Sequence, residues 1–314
     1  MTREHGFDQI VRDDRSVLTT GTFDGVHLGH QAILRYLVER ARAAGGKATV
    51  VTFDPHPRAV LGGSPVPLLT TLPERADLLE ALGLDRFVVL PFTRDLSLME
   101  PEAYVDKVLR GAVGMREIVI GYDHRFGRNR RGDRALLEAM GAERGFTVDV
   151  IPEQIVTGVT VSSTQIRHAL AEDGDARRAA ALLGRPYSFA GTVMRGDQRG
   201  RELGFPTANV HPEHPRKLIP KPGVYAVRAE APAGRFDGMM NVGRRPTFEE
   251  DGALKAEVHL FGFEGDLYGL PLRVHVVERL RDERRFDGLD ALVAQLREDR
   301  RHAEAALGDR GHPG

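Results

Sequence analysis

The first half of the chain alternates short β-branched runs with longer segments whose apolar positions recur at helical spacing. Ser16–Thr22 predicts a strand, and Leu28–Ala44 a helix with Ile33, Leu34, Leu37, Val38 and Ala41 on one face. Gly45-Gly46 stops that helix, and Ala48–Phe53 reads as a buried strand. Helices expected over Glu74–Leu82, Pro101–Val113 and Arg134–Arg144 then interleave with strands expected over Arg86–Leu90, Glu117–Gly121 and Thr147–Ile151. Strands separated by helices pair in parallel, because the crossover needs a helix to return the chain. The pattern predicts an α/β doubly wound domain, closed by helical stretches at Ser163–Ala171 and Ala176–Leu183.

After Gly184-Arg185-Pro186 the texture changes. Strand-like segments follow without intervening helices: Phe189–Met194, Gly223–Ala229, Phe236–Val242, Ala256–Phe261 and Leu272–Leu280. Glycine and proline lie between them, which predicts an antiparallel barrel or sandwich. An amphipathic helix is expected at Leu289–Leu307, with apolar residues at 289, 292, 293 and 296. The expected domains are therefore 1–185 and 186–314.

Composition narrows the chemistry. The 314 residues are 41% apolar, enough for two ordinary cores. Without cysteine there is no thiolate metal site, disulfide or cysteine nucleophile, and a cytoplasmic address fits. Against 45 acidic residues stand 44 basic ones, a balance that argues against a domain held to nucleic acid by bulk charge. No run approaches the ~18 apolar residues of a membrane span. Only 5 of the basic residues are lysine, which leaves 39 arginines (44 − 5), so a phosphate-gripping lysine has few candidates.

The first candidate site follows the first strand: Gly21-Thr22-Phe23-Asp24-Gly25-Val26-His27-Leu28-Gly29-His30. Ligands of open α/β sheets bind beyond the carboxyl ends of strands, and a helix N-terminus there favours phosphate. His27 and His30, three apart in the first turn, project from one side, while Gly29 leaves room for close approach. By structure alone this is an N-capping region with two ordinary histidines. Two further segments sit where ligand-lining loops belong, Thr52-Phe53-Asp54-Pro55-His56-Pro57 and Gly121-Tyr122-Asp123-His124-Arg125-Phe126-Gly127. A third, Ser162-Ser163-Thr164-Gln165-Ile166-Arg167, starts a helix that Ser163 or Thr164 can cap, with Arg167 one turn on.

The string Gly-x-Phe-Asp-Gly-Val-His-x-Gly-His resembles the His-x-Gly-His nucleotidyltransferases, in particular the adenylyltransferase half of bacterial bifunctional riboflavin kinase/FAD synthetases. The resemblance implies a Rossmann-like domain that joins FMN to the adenylyl group of ATP. It implies catalytic roles for His27, His30 and Arg167, and nucleotide contacts at Gly21, Phe23, Gly29, Ser163 and Thr164. Flavin contacts would come from His56, Asp123, Arg125 and Phe126. His124 stands where the family usually has an aromatic residue. No lysine occurs between 107 and 217, which counts against a class I aminoacyl-tRNA synthetase.

The second candidate site is Gly196-Asp197-Gln198-Arg199-Gly200-Arg201-Glu202-Leu203-Gly204-Phe205-Pro206-Thr207-Ala208-Asn209. Its spaced glycines make a loop whose amides can wrap phosphate. Thr207 and Asn209, two apart, share one face of an extended segment and offer oxygen ligands of the kind Mg²⁺ takes. This string, with Pro222-Gly223-Val224-Tyr225, Asn241-Val242-Gly243-Arg244 and Glu257-Val258-His259, resembles riboflavin kinase. The resemblance implies an ATP loop at Gly196, Gly200, Arg201 and Gly204, Mg²⁺ at Thr207 and Asn209, and Glu257 as base. Tyr268 is a candidate flavin wall, and His259 reads as structural. Together the motifs predict an enzyme that makes FMN from riboflavin and FAD from FMN, with ATP and Mg²⁺. The alternatives are a chain with one active domain, and a flavin- or nucleotide-binding regulator that does not turn over.

Overall fold

A computed structural model describes the chain except residues 63–65, 122–123, 152–154, 157–158, 197–199, 201–202, 245–253 and 309–314. Asp123 and Arg201 lie outside the described residues. The chain divides into two compact units, Met1–Ser162 and Ser163–Gly314.

The first unit holds a six-stranded parallel sheet in the order β1-β4-β3-β2-β5-β6. The strands are β1 (Thr2–His5), β2 (Ser16–Thr20), β3 (Lys47–Asp54), β4 (Arg86–Pro91), β5 (Met115–Gly121) and β6 (Thr147–Ile151). Helix α1 (Leu28–Ala43) buries Leu34, Leu37, Val38 and Ala41 against one face of the sheet, together with Ala76 and Leu79 of α3 (Leu72–Ala81). Thr71 and Glu74 close a capping box at the start of α3. Short helices α2 (Pro57–Val60), α4 (Arg94–Ser97) and α5 (Pro101–Ala103) lie in the connections. The helix expected over 101–113 continues from α5 in π geometry at Tyr104–Val113. That segment packs Val105, Val108 and Leu109 on the other sheet face, beside Leu137 and Met140 of α6 (Arg134–Arg144). A two-stranded pair, β7 (Ile155–Val156) and β8 (Val159–Thr160), ends the unit.

Strand β1 was not among the expected elements. It pairs with β4 at the sheet edge, and its buried Glu4 accepts both forks of the buried Arg86 at 3.0 and 2.9 Å. From β2 the chain runs outward through β3 and β4 on one side and through β5 and β6 on the other. The carboxyl end of β2 is therefore the topological switch point.

The second unit opens with α7 (Ser163–His168), a π turn at Ala169–Asp173 and α8 (Ala176–Leu183). These helices, expected to close the first domain, group by compactness with the strands that follow. A closed antiparallel barrel comes next: β9 (Tyr187–Met194), β10 (Ala208–Pro212), β11 (Gly223–Ala231), β12 (Gly234–Arg244), β13 (Leu254–Leu260) and β14 (Pro271–Arg281), ordered β10-β13-β12-β11-β14-β9. Val210, Tyr225, Val227, Met240, Val258, Val274 and Val276 are buried, alternating with outward residues along each strand.

Of the apolar stripe expected on the terminal helix α9 (Leu289–Gly308), Leu292, Val293 and Leu296 are half-buried, Leu296 against the cluster that holds Ala303 and Leu307, but the fully buried positions lie elsewhere. Leu289 is exposed, and the buried positions are Gln295, Asp299, Ala303 and Leu307, one turn apart. Ala303 and Leu307 pack with Phe205, Ala226 and Met239. The two polar positions are satisfied: Asp299 accepts from Arg281 at 2.8 and 2.7 Å and from Gln295 at 2.7 Å.

Candidate active sites

In the first unit the loop after β2 delivers two histidines to the switch point. His27 is the N-cap of α1, and its Nδ1 accepts the backbone N–H of His30 at 3.3 Å. That bond leaves Nε2 as the protonated nitrogen of a neutral His27 ring. The His27 and His30 rings stack with centroids 3.6 Å apart, and Phe23 meets His30 edge-on at 5.1 Å. A side chain on Gly29 would press on the His27 ring at 3.3 Å, so the glycine makes room for the histidine itself. Gly21 faces the Phe23 ring in the same way. Burial, then repulsion from His27 and Arg75, holds His30 well below the ordinary histidine value. Its enclosed Nδ1 finds no hydrogen-bond partner among the described residues.

The loop is held in an unusual backbone. Phe23 and Val26 adopt positive φ of 47° and 41°, a region that costs a non-glycine residue on the order of 1–3 kcal/mol. Its buried anchor is Asp24, whose carboxylate accepts from the Leu69 and Thr70 amides at 3.1 and 2.8 Å and from the Thr70 hydroxyl at 3.0 Å. Asp24 stood inside the motif without an assigned role, and its partners lie more than forty residues away, beyond any local signal.

The remaining predicted residues of this site stand apart from the histidine stack in character. His56 caps α2 through its Nδ1, which accepts from the Arg58 amide at 3.2 Å. Phe126 is buried in the core with Tyr104, 6.2 Å between centroids. Arg125 forms an exposed ion pair with Asp133 at 2.8 Å. Ser163, Thr164 and Arg167 lie on α7 in the second compact unit; Thr164 is exposed, and Ser163 and Arg167 are half-buried.

In the second unit the register builds a row across three strands. Asn209 on β10 pairs with Glu257 on β13, and Glu257 pairs on its other side with Asn241 on β12. Directly opposed residues share a sheet face. These three are half-buried, while Ala208, Val210, Ala256, Val258, Met240 and Val242 point into the barrel. A carboxylate thus stands between two carboxamides on the outer face. Asn241 Nδ2 donates to Glu283 at 3.5 Å. The Asn241 role was not anticipated, although its motif was noted; strand register is what brings it to Glu257.

Two glycines of the predicted loop come close to Thr207 and Asn209. No side chain fits on Gly196, which abuts the Asn209 carboxamide, and a Cβ on Gly200 would meet Thr207 Oγ1 at 3.5 Å. Gly204 has φ +79°, the conformation for which glycine is suited. His259 shares the outward face of β13 but is covered, donating from Nδ1 to the Pro206 carbonyl at 2.8 Å between Phe205 and Phe261. It anchors the loop end, as its structural reading implied. Tyr268 is 36% exposed, and Arg195 lies over one face of its ring at 5.5 Å.

Among the described residues no group of three or more His, Asp or Glu is arranged to hold a metal, and no helix is long and apolar enough to cross a membrane. The two features to be accounted for are a switch point in a doubly wound sheet and a carboxylate row on a barrel, and likeness to known proteins places the chain among transferases acting on nucleotides. Residues 9–165 match the FAD synthetase family model, and residues 183–307 the riboflavin kinase model. The bifunctional riboflavin kinase/FMN adenylyltransferase of Pseudomonas fluorescens is 40% identical over 94% of each chain. Its counterpart from Escherichia coli K12 is 37% identical over 97% of this chain and 96% of its own. The chain belongs to the bifunctional riboflavin kinase/FMN adenylyltransferase family. A solved structure from Streptococcus pneumoniae, described as a macrolide-efflux protein, matches 97% of this chain and 99% of its own with TM-score 0.87 and 29% identity.

Proposed function

We propose that the family's two reactions are divided between the two units, with FMN adenylylation served by His27 and His30 and riboflavin phosphorylation by the Asn209–Glu257–Asn241 row. The chain phosphorylates riboflavin to FMN and adenylylates FMN to FAD, with ATP supplying both transferred groups. The observation that carries the division is that the His27–His30 stack lies within the first unit and the Asn209–Glu257–Asn241 row within the second. The family-model matches end at 165 and resume at 183, which supports a functional boundary near 185, with 1–185 and 186–314 as the two domains. Consumption of ATP supports a cytoplasmic location.

In the first reaction riboflavin presents a neutral 5′-hydroxyl. Glu257 takes its proton as the oxygen attacks the γ-phosphorus of ATP, and ADP leaves. The amides of Gly196 and Gly200 and the carboxamides of Asn209 and Asn241 position the phosphates. Mg²⁺ fits the hydroxyl and amide oxygens of Thr207 and Asn209, beside which Gly196 and Gly200 stand without side chains. Bound there, it would neutralise charge on the triphosphate.

In the second reaction the FMN phosphate is already an anion and needs no base. It attacks the α-phosphorus of ATP, forming the new P–O bond as pyrophosphate leaves. His27 donates through Nε2–H, and His30 and the α1 N-terminus stabilise charge on the phosphoryl oxygens. His56 and Arg125 are assigned to FMN, and Tyr268, in the other unit, to riboflavin; Phe126, buried in the core, is left to packing.

Two variants of the full chain test the division. His30→Ala abolishes FAD formation, by about 10²–10³ in rate, and keeps FMN formation. Glu257→Gln does the reverse. With FMN formation assayed from riboflavin and FAD formation from supplied FMN, loss of both conversions in either variant, or full FAD production by His30→Ala, refutes it. Binding of riboflavin and ATP without product would instead support a regulatory protein.

A further inference from the structure

The histidine loop is gripped by a buried cation that the reaction scheme does not use. Arg75 on α3 is 4% exposed. Its Nη2 lies 3.5 Å from Asp24 Oδ1 and donates to the Thr70 carbonyl at 3.2 Å. Its Nε donates to the Thr70 hydroxyl at 3.3 Å, and its Nη1 to the Thr52 hydroxyl at 3.4 Å. Thr52, on β3, in turn donates to the Thr22 carbonyl at 3.3 Å. The Thr70 hydroxyl also accepts the Gly25 amide at 3.0 Å. One guanidinium therefore joins three segments: the end of β3, the stretch entering α3, and the loop from Thr22 to Gly25. All its side-chain partners are buried, with Asp24 and Thr52 at 0% exposure.

We infer that Arg75 is a positioning residue for adenylyl transfer: spanning Asp24, Thr70 and Thr52, it holds the loop that sets the His27–His30 stack. Phe23 and Val26 at positive φ, on either side of Asp24, would relax if that carboxylate were released. Relaxation at Val26 moves the α1 N-cap, because His27 follows directly and takes its ring orientation from the His30 amide. An arginine suits the task, since its fork satisfies several acceptors at once where a lysine offers a compact point charge. The buried cation also adds to the repulsion that keeps the neighbouring His30 neutral.

This inference rests on the assignment of FMN adenylylation to His27 and His30. It is tested with full-length Arg75→Met, Arg75→Lys and the Arg75→Met/Asp24→Asn double variant, each assayed for FMN-to-FAD and riboflavin-to-FMN conversion. Misplacement of groups by about an ångström costs roughly 10²-fold, so Arg75→Met should lose about that in kcat for FAD. Its KM values for ATP and FMN should move much less, and its kinase rate should be unchanged. Arg75→Lys, which keeps the charge opposite Asp24, should return to within about tenfold of the parent. The double variant removes both charges, keeping the first unit folded if Arg75→Met alone unfolds it, and should remain slow because the links to Thr70 and Thr52 are gone. A parental kcat in Arg75→Met or in the double variant overturns the positioning role, the latter by showing that only charge neutrality mattered. Full FAD synthesis by His30→Ala would overturn the site assignment instead, so the two failures are distinguishable.

Discussion

Replacing Asp299 with alanine should unfasten the terminal helix. The carboxylate is 1% exposed as a side chain and accepts three hydrogen bonds, two from Arg281 and one from Gln295. Its removal leaves the Arg281 fork and the Gln295 carboxamide without those acceptors in a buried setting. Breaking a buried pair by removing one partner costs about 3–5 kcal/mol. Arg281 keeps 19% exposure and a further bond from Nη1 to the Asp282 carbonyl, which argues for the lower end, about 3 kcal/mol. That is as much as full burial of a leucine contributes, ~1.5–3 kcal/mol, and Leu307 and Ala303 are the apolar residues of α9 that are fully buried. For a unit of this size the loss lowers the midpoint by about 2–4 °C per kcal/mol, hence by roughly 6–12 °C. The effect reaches the kinase row: Arg281 pairs with Val224, Val224 with Asn241, and Glu283 follows two residues beyond β14. Heat inactivation of the two activities in one sample reads it out. FMN formation should fail several degrees earlier than in the parent, with FAD formation from FMN unmoved. An apolar pair, Arg281→Met with Asp299→Leu, should recover most of the loss. A shift below 2 °C in Asp299→Ala, or equal shifts in both activities, would refute the reasoning.

Acid should weaken the first unit through His30. Burial and its cationic neighbours depress its pKa, so below about pH 6.5 the unfolded chain gains a proton that the folded one refuses. Stability then falls by up to about 1.4 kcal/mol per pH unit until His30 itself protonates; urea unfolding of His30→Gln should show a shallower slope, and an unchanged slope would discard the explanation. Asn209→Ala should raise the Mg²⁺ and ATP requirement of FMN formation roughly 10–100-fold, as expected for one lost bond to a charged group. FAD formation from supplied FMN should be unaffected, and an unaltered Mg²⁺ titration would remove Asn209 from the metal site.

What was legible in the sequence was what is local. Leu34, Leu37, Val38 and Ala41 lie four or three apart and bury the predicted face of α1. The His27–His30 stack follows from one helical turn and its cap. Strand β1 was illegible because Thr-Arg-Glu-His has no apolar alternation: its buried Glu4 is satisfied by Arg86, eighty-two residues away. The inward face of α9 misled for the same reason, since Gln295 and Asp299 read as solvent-facing until Arg281 is placed beside them. Asn241 joins Glu257 only through strand register, which tertiary packing sets. The division between compact units fell before α7 because α7 packs on α8 and α8 packs on barrel strands β9 and β14, something their own periodicity does not encode.

The scarcity of lysine acquires a physical sense from the buried cations. Arg86 satisfies both Glu4 oxygens, the Ser16 hydroxyl at 2.7 Å and the Val11 carbonyl at 2.6 Å. Arg281 grips Asp299 with two nitrogens and the Asp282 carbonyl with a third. Arg75 reaches Asp24, Thr70 and Thr52. Each joins an acidic side chain to neutral acceptors, so each both neutralises a buried charge and fixes a geometry. An ammonium could perform the first task but has only three donors on a flexible stem for the second. Two of these arginines sit behind candidate sites, Arg75 beneath the histidine loop and Arg281 at the strand end leading to Asn241. The phosphate chemistry proposed here is therefore lysine-free both in the groups that face substrate and in the forks that hold those groups still.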